Sequence, residues 1–193
     1  HLYRRILIDE TFSPDAKEIQ YQDFACWQND QLAAGTYAAS EKYWLQKLDG
    51  FVSTPFPTDY PRPAMLSYRG GRHDFVLEQE TCRGLEEAAK DKDATFFMAL
   101  LAVIKIMIFR YTQQEDIAVG TPVSGRDHPD VLDQLGCFVN TIVLRTSVHE
   151  EDTFHSVLSK VNETVIDGLA HQAYPHELLS SRLNLSGGWT SSL

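Results

Sequence analysis

The segment "TFFMALLAVIKIMIFRYT" at residues 95–112 constrains the fold more than any other, because it is apolar on nearly every face. Such a segment is either a membrane span or a helix buried in a globular core. Its uninterrupted apolar run is shorter than the roughly 20 residues that a bilayer requires, and Lys105 lies inside it. We therefore predict a buried helix that begins after Thr95 and carries Lys105 at one edge.

A second segment, "LGCFVNTIVLR" at Leu135–Arg145, is typical of a buried β-strand, yet Asn140 and Thr141 stand in its middle. Alternation along a strand places Asn140 on the same face as Phe138 and Thr141 on the opposite face. A buried amide must be satisfied by hydrogen bonds, whereas an amide that lines a wet cavity can bind water or a ligand. Both environments are compatible with this segment taken alone.

The rest of the chain interleaves helices with strands. Periodicity, capping residues and glycine stops predict helices at residues 1–10, 15–31, 36–48, 80–92, 153–171 and 175–183, and strands at residues 72–80, 116–125 and 137–148. The helix at residues 153–171 has apolar residues at helical spacing, which should face inward: Phe154, Val157, Leu158, Val161, Val165 and Leu169. The four prolines between residues 50 and 71 predict an extended crossing segment. We therefore predict the α/β class, with a mixed sheet flanked by helices.

The net charge and the cysteine content limit which partners and which cellular compartment we expect for this chain. The formal net charge is −10 and basic residues do not cluster, so nucleic acid is a poor candidate partner. The three cysteines, Cys26, Cys82 and Cys137, form no CxxC pair, which indicates buried small side chains and a reducing cytoplasm rather than disulfides. Neither terminal segment looks like the boundary of a folded domain, so we expect the chain to be part of a larger polypeptide.

The sequence contains no complete catalytic motif. The seven histidines include no pair with the helical spacing of a zinc site, so we predict no bound metal. The segment "GTPVSG" lacks the Lys-Ser/Thr ending of a phosphate-binding loop, and "SGGW" is not a nucleophile elbow. We therefore assign no catalytic residue to this chain.

One polar loop joins the last two predicted strands and includes Ser124 and Arg126, bracketed by Gly120, Gly125 and Gly136. Loops at strand ends are where binding groups collect. An ordinary surface loop held by salt bridges explains the same residues, and the local pattern does not separate the two interpretations.

Several motifs occur in an order that is characteristic of one family. They are "YQDFACWQ" at residues 21–28, "YWLQKL", "FPTDYPRP", the long segment from residue 94 to residue 145, and "HQAYPHELL" from residue 171. Between about residues 15 and 183, the chain resembles the condensation domain of nonribosomal peptide synthetases. The family motif His-Gln-Asp-x-Pro-Phe-Glu appears here with Ala173 in place of Asp and His176 in place of Phe.

The resemblance implies a domain of two lobes, each similar to chloramphenicol acetyltransferase, with a tunnel between them. Peptidyl and aminoacyl carrier proteins would present thioesters on phosphopantetheine arms, and an amide would form between the two substrates. The catalytic His-His-x-x-x-Asp-Gly motif lies on the N-terminal lobe, and this chain has no adjacent histidines. We therefore expect residues 1–193 to be the C-terminal lobe, with the crossing segment, of a cytoplasmic acyltransferase. Alone it would be inactive, would bind no cofactor directly and would be prone to self-association.

The resemblance also implies roles for particular residues. Residues expected to line or shape the substrate tunnel are Asn140, Thr141, Ser124 and Arg126. Residues expected to stabilise the packing of the lobe are Tyr21, Asp23, Trp27, Gly136, Phe138, His171, Gln172 and Pro175.

Two alternatives to amide formation stay open at this point. The lobe would serve as a non-catalytic module that docks a carrier protein or another lobe, or it would belong to a related epimerisation, heterocyclisation or ester-forming domain. The segment that separates these types, around the His-His motif, is not among the 193 residues.

Overall fold

A computed structural model describes residues 7–9, 19–52, 56–61, 65 and 70–183. Its helices and strands, in chain order, are α1 (Tyr21–Ala33), α2 (Ala38–Leu48), α3 (Gln79–Lys90), α4 (Phe96–Thr112), β1 (Asp116–Val123), a 3-10 turn (Pro129–Val131), β2 (Asn140–Ser147), α5 (Phe154–Ala170) and α6 (His176–Arg182). The predicted helices from α1 onwards and two of the three predicted strands are thereby confirmed, with shifted ends.

The chain divides into two compact units. The first unit consists of residues 1–38 and 124–139, and its described residues include α1 and the 3-10 turn. The second unit consists of residues 39–123 and 140–193, and it contains both strands and the remaining helices. Of the predicted helix at residues 1–10, only residues 7–9 are described, and residues 7 and 8 are helical. The crossing segment at residues 50–71 lies partly outside the described residues.

The sheet of the second unit pairs β1 with β2 in antiparallel register, from Asp116 opposite Ser147 to Val123 opposite Asn140. Three consecutive residues of β2, namely Ile142, Val143 and Leu144, are buried, so both faces of this strand are covered. This strand starts later than predicted. Asn140 is its first residue and does not lie at its centre.

Helix α4 begins as predicted, because the Thr95 hydroxyl accepts a hydrogen bond from the backbone N–H of Met98 over 3.3 Å. The prediction that Lys105 lies at an edge is wrong, since this side chain is fully buried. Its Nζ donates to the carbonyl oxygens of Ile117 and Leu144 over 2.9 and 2.6 Å. The long apolar stem and these two acceptors make the burial possible. Burial also lowers the pKa of Lys105 to about 7, although Asp116 acts in the opposite direction.

Helix α5 is capped by Thr153, whose hydroxyl accepts a hydrogen bond from the Ser156 backbone N–H over 3.2 Å. Its inward residues include Val157, Leu158, Val161 and Val165, as predicted. Leu169 was predicted to turn inward but is 42% exposed. Gly168 takes that place, since a β-carbon there would lie 3.0 Å from Leu144 Cδ2.

The strand predicted at residues 72–80 is wrong. Residues 72–78 form no ladder and α3 begins at Gln79. Phe75 and Val76 are 74% and 93% exposed. Alternating apolar residues become a strand only when a neighbouring strand supplies hydrogen bonds, and no described residue does so here.

Two smaller predictions also need correction. Helix α1 begins at Tyr21 rather than near residue 15, because Ile19 and Gln20 are not helical and residues 15–18 lie outside the described residues. Cys26 and Cys137 are exposed rather than buried, while Cys82 is half-buried.

Candidate functional site

Asn140 joins the start of β2 to the turn between α5 and α6. Its Nδ2 donates to the backbone carbonyls of Gln172 and Tyr174 over 2.7 and 2.8 Å. Its Oδ1 accepts from the backbone N–H of His176 over 3.0 Å. Both hydrogens of the amide are therefore engaged by main-chain acceptors, and the half-buried side chain holds three backbone groups of one turn in place.

His171 holds the same turn against α2. Its Nδ1 lies 3.0 Å from the Ser40 hydroxyl, and its ring stacks on Tyr43 with 4.1 Å between the ring centroids. Its carbonyl oxygen accepts from the indole N–H of buried Trp44 over 3.0 Å. Burial and the negative charge of Asp167 raise the pKa of Tyr43 to about 12.

Helix α6 begins beside this turn, with Pro175 as its N-cap residue. Arg182 near its end forms an ion pair with Glu41 of α2. Nδ1 of His176 is buried and has no hydrogen-bond partner among the described residues. Burial lowers the pKa of His176, although Glu177 acts in the opposite direction. The imidazole of His176 occupies the place of the phenylalanine in the family motif.

In the first unit, Arg126 organises the loop at residues 124–139. Its Nη1 donates to the carbonyl oxygens of Val131 and Leu132, the latter over 3.3 Å. Its Nη2 donates to the Gly136 carbonyl over 3.3 Å, and its guanidinium carbon lies 4.3 Å from the centroid of the Phe138 ring. The cation is therefore engaged with its own loop rather than presented alone to solvent.

Phe138 is the centre of an aromatic cluster in the first unit. Phe138 is 5% exposed, and its ring meets those of Tyr21 and Phe24 edge-on, at centroid distances of 5.2 and 4.8 Å. Trp27 extends the cluster from Phe24 at 5.8 Å. Asp23 caps the helix that carries these rings, since its Oδ2 accepts from the Gln20 N–H over 2.8 Å. These contacts are those of a packing motif.

Two glycines allow the loop to approach this cluster closely. Gly125 has φ of +63°, and a β-carbon there would lie 1.9 Å from the carbonyl oxygen of Phe138. A β-carbon on Gly136 would lie 2.4 Å from Cδ2 of Tyr21. Both positions therefore require glycine.

The remaining predicted tunnel residues make fewer contacts. Ser124 is exposed, and its hydroxyl accepts a long hydrogen bond of 3.4 Å from the Arg126 backbone N–H. Thr141 is half-buried on β2, opposite Pro122.

The predicted site residues thus fall into two groups. The second unit contains Asn140, Thr141, His171, Gln172 and Pro175, and the first unit contains Tyr21, Asp23, Trp27, Ser124, Arg126, Gly136 and Phe138. Ser40 and Trp44 were not predicted to hold the turn. Their spacing with Tyr43 places all three on one helix face, and this spacing was the only signal in the sequence.

Within the described ranges, no group of three or more His, Cys, Asp or Glu side chains is placed to hold a metal ion. Among the described residues, no helix combines the length and apolar character needed to span a bilayer.

A family model described as "Condensation domain" matches residues 1–191. One component of the linear gramicidin synthase of Brevibacillus parabrevis is 38% identical over 185 residues, which cover 95% of this chain and 4% of that relative. Tyrocidine synthase 2 of the same organism is 38% identical over 168 residues, which cover 86% of this chain and 5% of that relative. The chain therefore spans only a small part of these curated relatives.

Two solved structures share the fold. The X-domain in its complex with OxyB from teicoplanin biosynthesis matches with a TM-score of 0.85 and 25% identity, over 92% of this chain and 40% of that chain. The first condensation domain of the calcium-dependent antibiotic synthetase, in complex with substrate analogue 3a, matches with a TM-score of 0.67 and 26% identity, over 93% and 40%. These likenesses confirm the predicted helix-and-sheet class, similar to a chloramphenicol acetyltransferase lobe.

Proposed function

This chain belongs to the condensation-domain family of nonribosomal peptide synthetases, and from that premise we propose that it is the C-terminal lobe of a domain that forms amide bonds. In that reaction the amine of a carrier-bound aminoacyl group attacks the thioester carbon of a carrier-bound acyl group. The new C–N bond forms, the C–S bond breaks, the amine loses a proton and the upstream phosphopantetheine leaves as a thiol.

The observation that carries this proposal is the match of the condensation-domain model to residues 1–191. The chain has no adjacent histidines, so the His-His-x-x-x-Asp-Gly motif would come from another part of the domain. The residues described above would then act by shape, as tunnel wall and as docking surface for carrier proteins.

Asn140 illustrates that role. Because both its amide hydrogens bind main-chain carbonyls, it has no donor left for a substrate. Its contribution to the tunnel would be to hold the His171–His176 turn in place. Arg126 would act in the same way on the loop at residues 124–139.

The direct test is reconstitution of amide formation. The complete domain that contains this chain would be combined with donor and acceptor carrier proteins loaded with thioesters, and the acceptor carrier would be examined by intact-mass spectrometry. We expect a mass increase equal to the donor acyl group. Substitution of the second His of the upstream motif by Ala should abolish it, and the 193-residue chain alone should give none.

A non-catalytic binding module is the second candidate, and one observation favours it. The X-domain matches this chain with a higher TM-score than the condensation domain of the calcium-dependent antibiotic synthetase, and it was solved bound to another protein, OxyB. If no carrier pair yields product while the complete domain still binds a carrier in a pull-down, amide formation is refuted and the binding role is supported.

A further inference from the structure

Helix α4 presents an apolar stripe to solvent. Phe97, Ile104 and Tyr111 recur at intervals of seven residues, and Val103 and Met107 lie beside them on the same face. These five side chains are between 41% and 64% exposed. We refer to these five residues as the α4 stripe.

The opposite face of α4 is already used. Met98, Ala99, Leu101, Ala102 and Lys105 are buried within the second unit. An ordinary surface helix turns a polar face outward, but between Phe96 and Phe109 the single charged residue of α4 is the buried Lys105. The stripe is therefore typical of a surface that another part of a protein covers.

A second segment of the same unit, residues 72–78, also exposes apolar side chains to solvent. Residues 72–78 were predicted to form a strand and include the consecutive apolar residues Phe75, Val76 and Leu77, but they form no ladder, and Phe75 and Val76 are largely exposed. An apolar helix face and an unpaired strand-like segment together indicate a core that the described residues do not complete.

We infer that the α4 stripe is the surface on which the remaining part of the same condensation domain packs. The match covers 40% of each of the two solved chains compared above, so more than half of each of those chains lies outside it. The stripe holds no charged residue, which fits a permanent domain core better than a transient docking site. A covering segment in the same polypeptide also has a far higher effective concentration than a second copy of the chain.

This inference deepens the proposed function, because it names the surface that joins this lobe to the rest of the domain. Its test measures the burial of side chains and not amide formation, so the two proposals can fail separately.

The experiment compares thiol labelling at three positions. Ile104→Cys places a thiol in the stripe, Ile166→Cys places one at a 56% exposed isoleucine of α5, and Ala102→Cys places one on the buried face of α4. Each variant is made in the 193-residue chain and in the complete domain. Maleimide labelling is followed at the substituted position by peptide mass spectrometry, so the native cysteines do not interfere.

In the 193-residue chain we expect the thiol at position 104 to react about as fast as the thiol at 166. In the complete domain it should react at least about tenfold more slowly, approaching the thiol at 102, because labelling of a buried thiol requires local opening. The thiol at position 166 should react at the same rate in both proteins.

Three results would overturn the inference. Labelling at position 104 that stays as fast as at 166 in the complete domain would show that nothing there covers the stripe. If the thiol at position 104 is already protected in the 193-residue chain, residues of this chain cover the α4 stripe. Protection that disappears on dilution of the complete domain would assign the cover to a second copy.

Discussion

The side-chain amide of Asn140 donates to the carbonyl oxygen of Tyr174 over 2.8 Å and thereby connects β2 with the turn before α6. The two residues are 34 positions apart in the sequence. The Asn140 side chain also forms hydrogen bonds with the backbone of Gln172 and His176. One amide therefore holds the motif "HQAYPHE" against the start of β2.

Replacement of this amide should destabilise the second unit. Asn140→Ala leaves two carbonyls and one N–H without their partner, so we expect a loss of about 1–3 kcal/mol in the free energy of unfolding. Urea denaturation followed by circular dichroism measures the loss. Asn29→Ala, which removes an exposed amide of α1, is the control and should change stability little. An equal loss of stability in both variants would contradict a stabilising role of the Asn140 hydrogen bonds.

The same variant separates two roles of Asn140 in the complete domain. If the amide positions the turn, Asn140→Ala should lower stability and, through the displaced turn, amide formation. Lower stability with unimpaired product formation would refute any role of Asn140 in the tunnel.

Lys105 should make stability depend on pH. Its pKa is lowered from 10.5 to about 7 in the folded chain, so between these values the unfolded chain binds more protons and stability rises with pH. One such group contributes a slope of up to about 1.4 kcal/mol per pH unit. The cost of burying the charge is fully present below pH 7 and is relieved as the pH rises towards 10.5.

The check is a series of urea melts across pH 6–10 for the native chain and for Lys105→Met. The stability of the native chain relative to the variant should increase with pH over that range. Parallel curves for the two proteins would mean that Lys105 does not titrate in this window.

A pair of glycine substitutions should act in opposite directions. Gly125→Ala introduces a β-carbon 1.9 Å from the Phe138 carbonyl oxygen at a φ of +63°, and we expect it to cost about 1–3 kcal/mol or more. Gly84→Ala lies within α3, where a β-carbon meets nothing within 4 Å, so it should stabilise the helix by about 0.5–1 kcal/mol. Thermal unfolding temperatures measure both, and stabilisation by Gly125→Ala would refute the close approach.

Arg145 should not be replaceable by lysine. Its Nε and Nη2 bind Asp116 over 2.8 and 2.7 Å, and its Nη1 binds the carbonyls of Lys47 and Asp49 over 2.9 and 2.7 Å. A single ammonium group cannot reproduce this planar pattern, so Arg145→Lys should lose about 1–2 kcal/mol. Arg83→Lys, at an exposed position of α3, is the matched control. Equal denaturation midpoints for the two variants would contradict the expected role.

Most helix ends were predictable because they depend on neighbours in the sequence. The Thr95 and Thr153 hydroxyls each accept a hydrogen bond from a backbone N–H three residues later, and Gly50 follows the end of α2 with a positive φ of 64°. The order of motifs from "YQDFACWQ" to "HQAYPHELL" was likewise sufficient for the family, which the match to residues 1–191 confirms.

The strand at residues 72–80 was not predictable from its own residues. Its apolar run at Phe75–Leu77 is compatible with a strand, but a strand exists only where a second strand provides the complementary hydrogen bonds. Whether an amide such as Asn140 meets backbone or solvent depends on segments more than 30 residues away in the sequence.

The sequence by itself therefore determined the helices, the two paired strands and the family, because capping, periodicity and motif order are local properties of the chain. Only the tertiary structure decided that Lys105 is buried under two carbonyls, that Asn140 is held by the turn at residues 171–176, and that the α4 stripe faces solvent. Burial and hydrogen-bond partners arise from packing between distant segments, and no local pattern specifies which segments meet.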